Sequence, residues 1–271
     1  MRRGYKGLYF LLIASFASLF GFGGCNNGER VKIIEKPINS PSDIIAITDS
    51  LVIPYIYTST VSLNKLPVAE KKKKFFEMML PAILVAKKEI AINLQRVVAI
   101  SEMISMTDDD SLFIEKLKKK YKASDMEMLI KRLHTFPVSI VLAQSAIESG
   151  WGTSRFFLEA NNPFGLWSFD PKQERIEASS TRSGTKVYLR KFNNLEEAID
   201  AYYTTLATGG PYAEFRTERL KSNDPYVLVN YLINYSQRKE AYVNEVKGVI
   251  RGNKLVKYDS YRIAPDYLVS D

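Results

Sequence analysis

Residues 143–156 read AQSAIESGWGTSRF, and a carboxylate, Glu148, stands where an apolar run gives way to Ser149, Gly150, Trp151 and Gly152. Upstream, PVSIVLAQSAIES places Val138, Val141, Leu142 and Ala146 close to helical i, i+3, i+4 spacing, with one slip. Pro137 suits the first turn of such a helix, and the two glycines are natural C-terminal stops. The stretch therefore predicts a helix that presents a glutamate at its C-terminal end. Gln144, one turn earlier, shares the same edge.

A helix C-terminus carries partial negative charge and disfavours a carboxylate. A neighbouring tryptophan would desolvate it. Both effects raise a carboxyl pKa, which a general acid working near neutral pH requires. Glycines on either side of Trp151 would let a bulky polymer approach. A glutamate near a helix end is also an ordinary surface residue, so the stretch alone does not decide. NNPFGLW, residues 161–167, adds amides, aromatics and a glycine in a tight loop. Amides suit sugar hydroxyl and acetamido groups, and aromatic faces suit pyranose rings. Asn161 and Asn162 also read as plain turn residues.

The rest of the chain bounds the possibilities. Of 271 residues, 46% are hydrophobic and 25% charged, which fits a globular protein with a full core and excludes a disordered chain. Arg2, Arg3 and Lys6 precede the apolar run LYFLLIASFASLFGF, and Gly23 and Gly24 precede Cys25, the single cysteine. This resembles a bacterial lipoprotein signal, with Phe22 where leucine is usual. Residues 1–24 are expected to be a signal peptide and Cys25 a lipidation site; a plain cleaved signal or an uncleaved anchor are the alternatives. The run is shorter than the roughly 20 residues that span a bilayer. The protein is thus expected to be exported and tethered to a membrane. Removing residues 1–24 lowers the net charge from +8 to +5. That excess is too small to argue for nucleic acid and suits an anionic polymer such as cell wall. The run at Lys71–Lys74 reads as a solvated helix face.

Residues 25–62 read as a tether that becomes ordered as it meets the domain. Helical patterning begins near Val68 and continues through KKKKFFEMMLPAIL, with Pro81 as a kink or break. Asp108–Asp110 suit a helix start, and Ser124 with Glu127 has capping-box spacing. Residues 166–193 turn richer in Ser, Thr and Gly, and KVYLRKF alternates like a strand. Helices resume at Asn194, Pro225 and Lys239. The fold class expected is mainly α (α+β), with one small β-lobe after the glutamate-bearing helix. Residues 63–254 would form the domain and residues 255–271 a tail whose aromatics suggest packing back on it.

ESGWGTSRF followed by NNPFG closely resembles the bacterial glucosaminidase family of peptidoglycan hydrolases, glycoside hydrolase family 73, and within it the Bax-like proteins. The likeness covers residues 66–253, including GGPYAEFR and YSQRKEAYVNEVKGVI. It implies a lysozyme-like helical fold, cleavage of β-1,4 bonds in peptidoglycan, a monomer and no cofactor. Glu148 matches the catalytic acid and Tyr235 a tyrosine lining the active site; by itself Tyr235 would read as a core aromatic. Trp151, Asn162, Phe164 and Gly165 match positions that shape the cleft. Gln144, Asn161, Trp167 and Tyr212 are expected to contact substrate with them.

Glycoside hydrolysis normally uses a second carboxylate. The β-lobe offers Asp170, Glu174 and Glu177. Glu177 stands first, because its interval to KVYLRKF suits a hairpin partner; Glu174 comes second. The lobe lacks the family's usual Thr shortly before a Glu. A lytic transglycosylase or muramidase on the same fold is the nearest rival, and a non-catalytic wall-binding lipoprotein a more distant one. His134 is the only histidine, with no metal-site or nucleophile motif around it.

Overall fold

The computed structural model describes residues 29–178 and 186–270; the signal-like segment and Cys25 lie outside them. The chain opens with short strands β1 (Glu29–Val31), β2 (Ile34–Lys36), β3 (Leu51–Val52) and β4 (Tyr55–Tyr57). Five helices follow: α1 (Val68–Ser101), α2 (Asp108–Tyr121), α3 (Met126–Leu133), α4 (Val138–Glu148) and α5 (Arg155–Ala160). Strands β5 (Arg175–Glu177) and β6 (Tyr188–Arg190) form the β-lobe. Then come α6 (Leu195–Thr208), α7 (Ala213–Glu218), α8 (Pro225–Leu228) and α9 (Glu240–Gly252), and finally β7 (Arg262–Ile263) and β8 (Leu268–Ser270).

α4 is the axis of the body. It is apolar on almost every side, a pattern that suits only a helix enclosed by others. Every residue from Val138 to Ala146 is buried, and α1, α9 and the 3-10 turn Leu255–Ser260 pack around it. α1 runs unbroken through the buried Pro81 rather than stopping there. α2 is capped by Thr107 and carries acids in its first turn and lysines in its last, matching the helix dipole. α3 begins one residue later than the Ser124–Glu127 spacing indicates, because the Asp125 side chain, not Ser124, accepts from Met128 N. Asn194 caps α6 as its spacing predicts.

Residues 29–62 are not a free tether. Val31, Ile38, Ile44, Val52, Ile56 and Tyr57 are buried in the main core. β2 pairs in parallel with β4, while β1 pairs with β8 and β3 with β7 at the other end of the chain. The β-branched runs that read as a linker thus find their partners in the tail. Both segments belong to the body that a boundary at residue 63 would have excluded.

The β-lobe is an antiparallel pair in which Arg175, Ile176 and Glu177 face Arg190, Leu189 and Tyr188. A bridge between Trp167 and Leu189 and the bond from Arg190 N to Leu166 O fasten it to the NNPFGLW loop.

Candidate active site

The chain turns abruptly after Glu148. Trp151 N bonds back to Ala146 O at 2.7 Å, and Gly150, Trp151 and Gly152 all take left-handed backbone, with φ of 57°, 61° and 76°. A Cβ at Gly152 would stand 3.1 Å from the rings of Phe75 and Phe157, so the position is closed to side chains. Left-handed geometry costs a non-glycine residue about 1–2 kcal/mol. Trp151 offsets this by packing edge-on against Phe75 and Phe76, with Lys72 Nζ 4.7 Å from its ring centre. Those contacts are on α1, so the tryptophan props the turn and is not part of the groove wall. The expected desolvation of Glu148 by Trp151 is replaced by burial among tyrosines.

Glu148 is half-buried and lines a groove of about 1200 Å³ with Phe164, Gly165, Trp167, Tyr212 and Tyr235. Tyr242, on α9, is fully buried and accepts a bond from Gln144 Nε2. Burial pushes the Glu148 carboxyl above the ordinary glutamate value; Tyr242 and Arg238 pull it back, and Glu245 adds to the rise. Tyr235 stacks on Tyr242, with ring centres 5.5 Å apart and planes at 10°, and Tyr212 lies 6.2 Å from it. Both Tyr212 and Tyr235 hydroxyls are held protonated by burial and by the charge of Glu148. The site therefore combines an acid that favours its proton with aromatic surface and hydroxyl donors.

Three residues expected to contact substrate serve the scaffold instead. Gln144 is wholly buried between Tyr202 and Tyr242. Asn161 ends α5 in left-handed geometry and donates to Phe192 O and Asn193 O. Asn162, also buried, bonds Leu166 and Arg190 and so ties the loop to the β-lobe. The Gln144 amide satisfies tyrosine hydroxyls and the two asparagine amides satisfy backbone groups, uses that composition does not distinguish from sugar recognition. Phe164 stacks on Tyr202 at 4.1 Å, and Gly165 takes a φ of 62°. Phe169, absent from the expected set, is 84% exposed, lines the groove and lies 6.0 Å from Trp167. The alternation Trp167, Ser168, Phe169, with only Ser168 buried, was the available signal.

Of the three β-lobe acids, Asp170 lines the groove, whereas Glu174 and Glu177 do not. Glu177 is an exposed hairpin residue paired with Lys186 at 3.1 Å. α6 adds acids that sequence reading missed, namely Glu196, Glu197 and Asp200. Lys120 pairs with Asp200 at 2.7 Å, while Glu196 is pushed up to about 7, by burial first and by Asp200 second. Among the described residues, no group of three or more His, Cys, Asp or Glu is arranged to hold a metal ion, and no helix is long and apolar enough to cross a membrane.

A half-buried acid at the end of a core helix, in a groove flanked by a β-hairpin, defines a lysozyme-like α+β glycoside hydrolase. The sequence profile described as "Glucosaminidase: Mannosyl-glycoprotein endo-beta-N-acetylglucosaminidase" matches residues 123–255, just under half of the chain, and supports placing the chain among Bax-like glucosaminidases. It is 27% identical to Protein bax of Escherichia coli (strain K12) over 214 residues, which is 73% of this chain and 75% of that one. It is 26% identical over 149 residues to the exo-glucosaminidase LytG of Bacillus subtilis (strain 168), 51% of this chain and 50% of LytG. The catalytic domain of the autolysin Auto from Listeria monocytogenes superposes with a TM-score of 0.39 at 19% identity, covering 60% of this chain and 95% of that domain.

Proposed function

We propose that the protein cleaves peptidoglycan glycan strands at the β-1,4 bond following N-acetylglucosamine, acting within the strand, with Glu148 as general acid. The observation that carries this reading is Glu148 itself: raised by burial at the end of a core helix, and facing a groove with the exposed aromatics Trp167 and Phe169. Tyr235 and Tyr212 border the reacting bond, and Trp167 and Phe169 stack on sugar rings. Asp170 stands ahead of Glu177 as the second carboxylate, because it alone of the β-lobe acids lines the groove. The enzyme works as a monomer in the cell envelope, tethered to a membrane by a lipid on Cys25, and needs no cofactor. Because residues 29–62 pack on the body, only a few residues would separate such a lipid from the folded domain.

One feature favours a second reading, a lytic transglycosylase. Asp170 is an exposed residue whose carboxylate accepts from Lys172 N in its own turn, and that reaction can proceed with one carboxylate as both acid and base. Mass spectrometry of digested peptidoglycan separates the outcomes. N-acetylglucosamine at new reducing ends, on fragments of mixed length, is expected. Anhydro-muramyl ends would assign a transglycosylase, reducing muramic acid a muramidase, and release of single units from chain ends an exo-enzyme like LytG. Binding without cleavage would leave only the wall-binding reading.

A further inference from the structure

Lys239, the residue just before α9, has a φ of 50° and a ψ of −121°. That is the first corner of a type II′ turn, a position usually filled by glycine, asparagine or aspartate. Ala241 N closes the turn on Arg238 O at 3.1 Å. Lys122, Asn161 and Lys254 differ, since their ψ of 35°, 33° and 42° is the ordinary left-handed conformation. A lysine persists in such a corner only where its surroundings force it there. Here hydrogen bonds grip it from both sides. Lys239 N donates to Ser236 O, and Tyr242 N and Val243 N donate to Lys239 O as α9 begins. The Lys239 ammonium reaches back to Asn234 Oδ1 at 2.8 Å, and Arg238 pairs forward with Glu245 at 2.7 Å.

The corner decides where Tyr235 stands. It folds Ser236–Lys239 tightly enough that the Tyr235 ring lies flat on Tyr242, with centres 5.5 Å apart. Tyr242 is a fixed platform, fully buried and bonded by Gln144. Tyr235 in turn lines the groove with Glu148. We propose that Lys239 is a positioning residue for glycan cleavage. Its strained corner and its bond to Asn234, the residue before Tyr235, together hold Tyr235 at the groove wall. This rests on the reading that Tyr235 borders the reacting bond. Glycine would relieve the corner but would surrender the grip on Asn234. Backbone strain of this kind gathers at sites where placement matters more than stability. A role confined to folding would make the most stable variant at this position the most active one.

The test uses the full chain, with kcat and KM on peptidoglycan, thermal melts, and NMR of the Tyr235 ring in tyrosine-labelled protein. Lys239→Gly should raise the melting temperature by about 2–5 °C. It should nevertheless lower kcat about three- to tenfold with KM nearly unchanged. The Tyr235 ring should lose the shift that stacking on Tyr242 gives it. Lys239→Met keeps the corner and removes only the bond to Asn234. It should be no more stable than the parent and lose about threefold in kcat. Lys239→Arg, which keeps a donor for Asn234, should stay within about twofold of the parent. Adding Lys239→Gly to Tyr235→Ala should lower kcat no further, since both act through one side chain. Higher stability with undiminished activity in Lys239→Gly, an unmoved Tyr235 resonance, or losses that add to those of Tyr235→Ala would overturn the role. Unchanged cleavage in Tyr235→Ala would instead sink the place given to Tyr235 at the reacting bond. The NMR of Lys239→Gly would still show whether Lys239 sets the position of that ring.

Discussion

On the helical side of the groove, Glu148 ends a buried helix that is fastened to α9 by the bond from Gln144 Nε2 to the buried Tyr242 hydroxyl. On the β-lobe side, Asp170, Trp167 and Phe169 are exposed, next to a hairpin of two three-residue strands. An isolated two-stranded hairpin is marginal in water; this one leans on Asn162 and the Trp167–Leu189 bridge. The contrast teaches a division of labour. With Glu148 as the proposed acid, the side that delivers the proton is fixed before substrate arrives, which is what preorganised catalysis requires. The other side offers surface and charge that a sugar can complete.

Substitutions should split along that division. Glu148→Gln should lower kcat by about 10²–10⁴-fold, the range for a positioned general acid, as measured by release of reducing ends. It should also be more stable than the parent near neutral pH. The folded protein disfavours ionised Glu148, so the advantage appears above the ordinary carboxylate pKa and fades at acid pH. Thermal melts across pH report it. An active or destabilised Glu148→Gln would break the assignment of the helical side. On the other side, Asp170→Asn should cost about tenfold or more in kcat, while Glu177→Gln, already paired with Lys186, should stay within about threefold. The reverse order would restore Glu177 as the second carboxylate and show that the hairpin rearranges when glycan binds. Smaller still, Trp167→Ala and Phe169→Ala should each raise KM about two- to tenfold with kcat nearly unchanged, as expected for lost aromatic contact. A change in kcat instead would mean that these rings position the acid.

How much of this could be read from sequence follows the same division. The α4 helix, its stop at Gly150 and the Asn194 cap were legible because each rests on neighbours within a few residues. Pairing of Glu177 with the Tyr188 strand was legible from its interval to KVYLRKF. The roles of Gln144 and Asn162 were not, because an amide bonds a sugar, a tyrosine hydroxyl or a backbone carbonyl equally well and only the fold decides which is near. The place of residues 29–62 was hidden for a related reason. Their partners, β7 and β8, lie at the far end of the chain, and no local pattern announces such pairing. Trp151 is the sharpest case, since adjacency to Glu148 in sequence meant opposite direction in space once three residues turned left-handed.

Glu196 tests whether the charged arm of the groove, which the comparison so far leaves out, behaves like the helical side or the lobe. It sits on a helix, yet its carboxyl is pushed from 4.5 to about 7, by burial and then by Asp200, against the pull of Lys120. Its folded value therefore lies above its unfolded one. Between these values the unfolded chain ionises while the folded one holds its proton, so the parent loses stability as pH rises. Glu196→Gln does not titrate. Its melting temperature relative to the parent should be unchanged below about pH 4, climb between about pH 4.5 and 7, and stay level above that. A flat difference across this range would mean that Glu196 is solvated as freely as Asp170, and that only α4 and α9 build a wall able to hold an acid protonated.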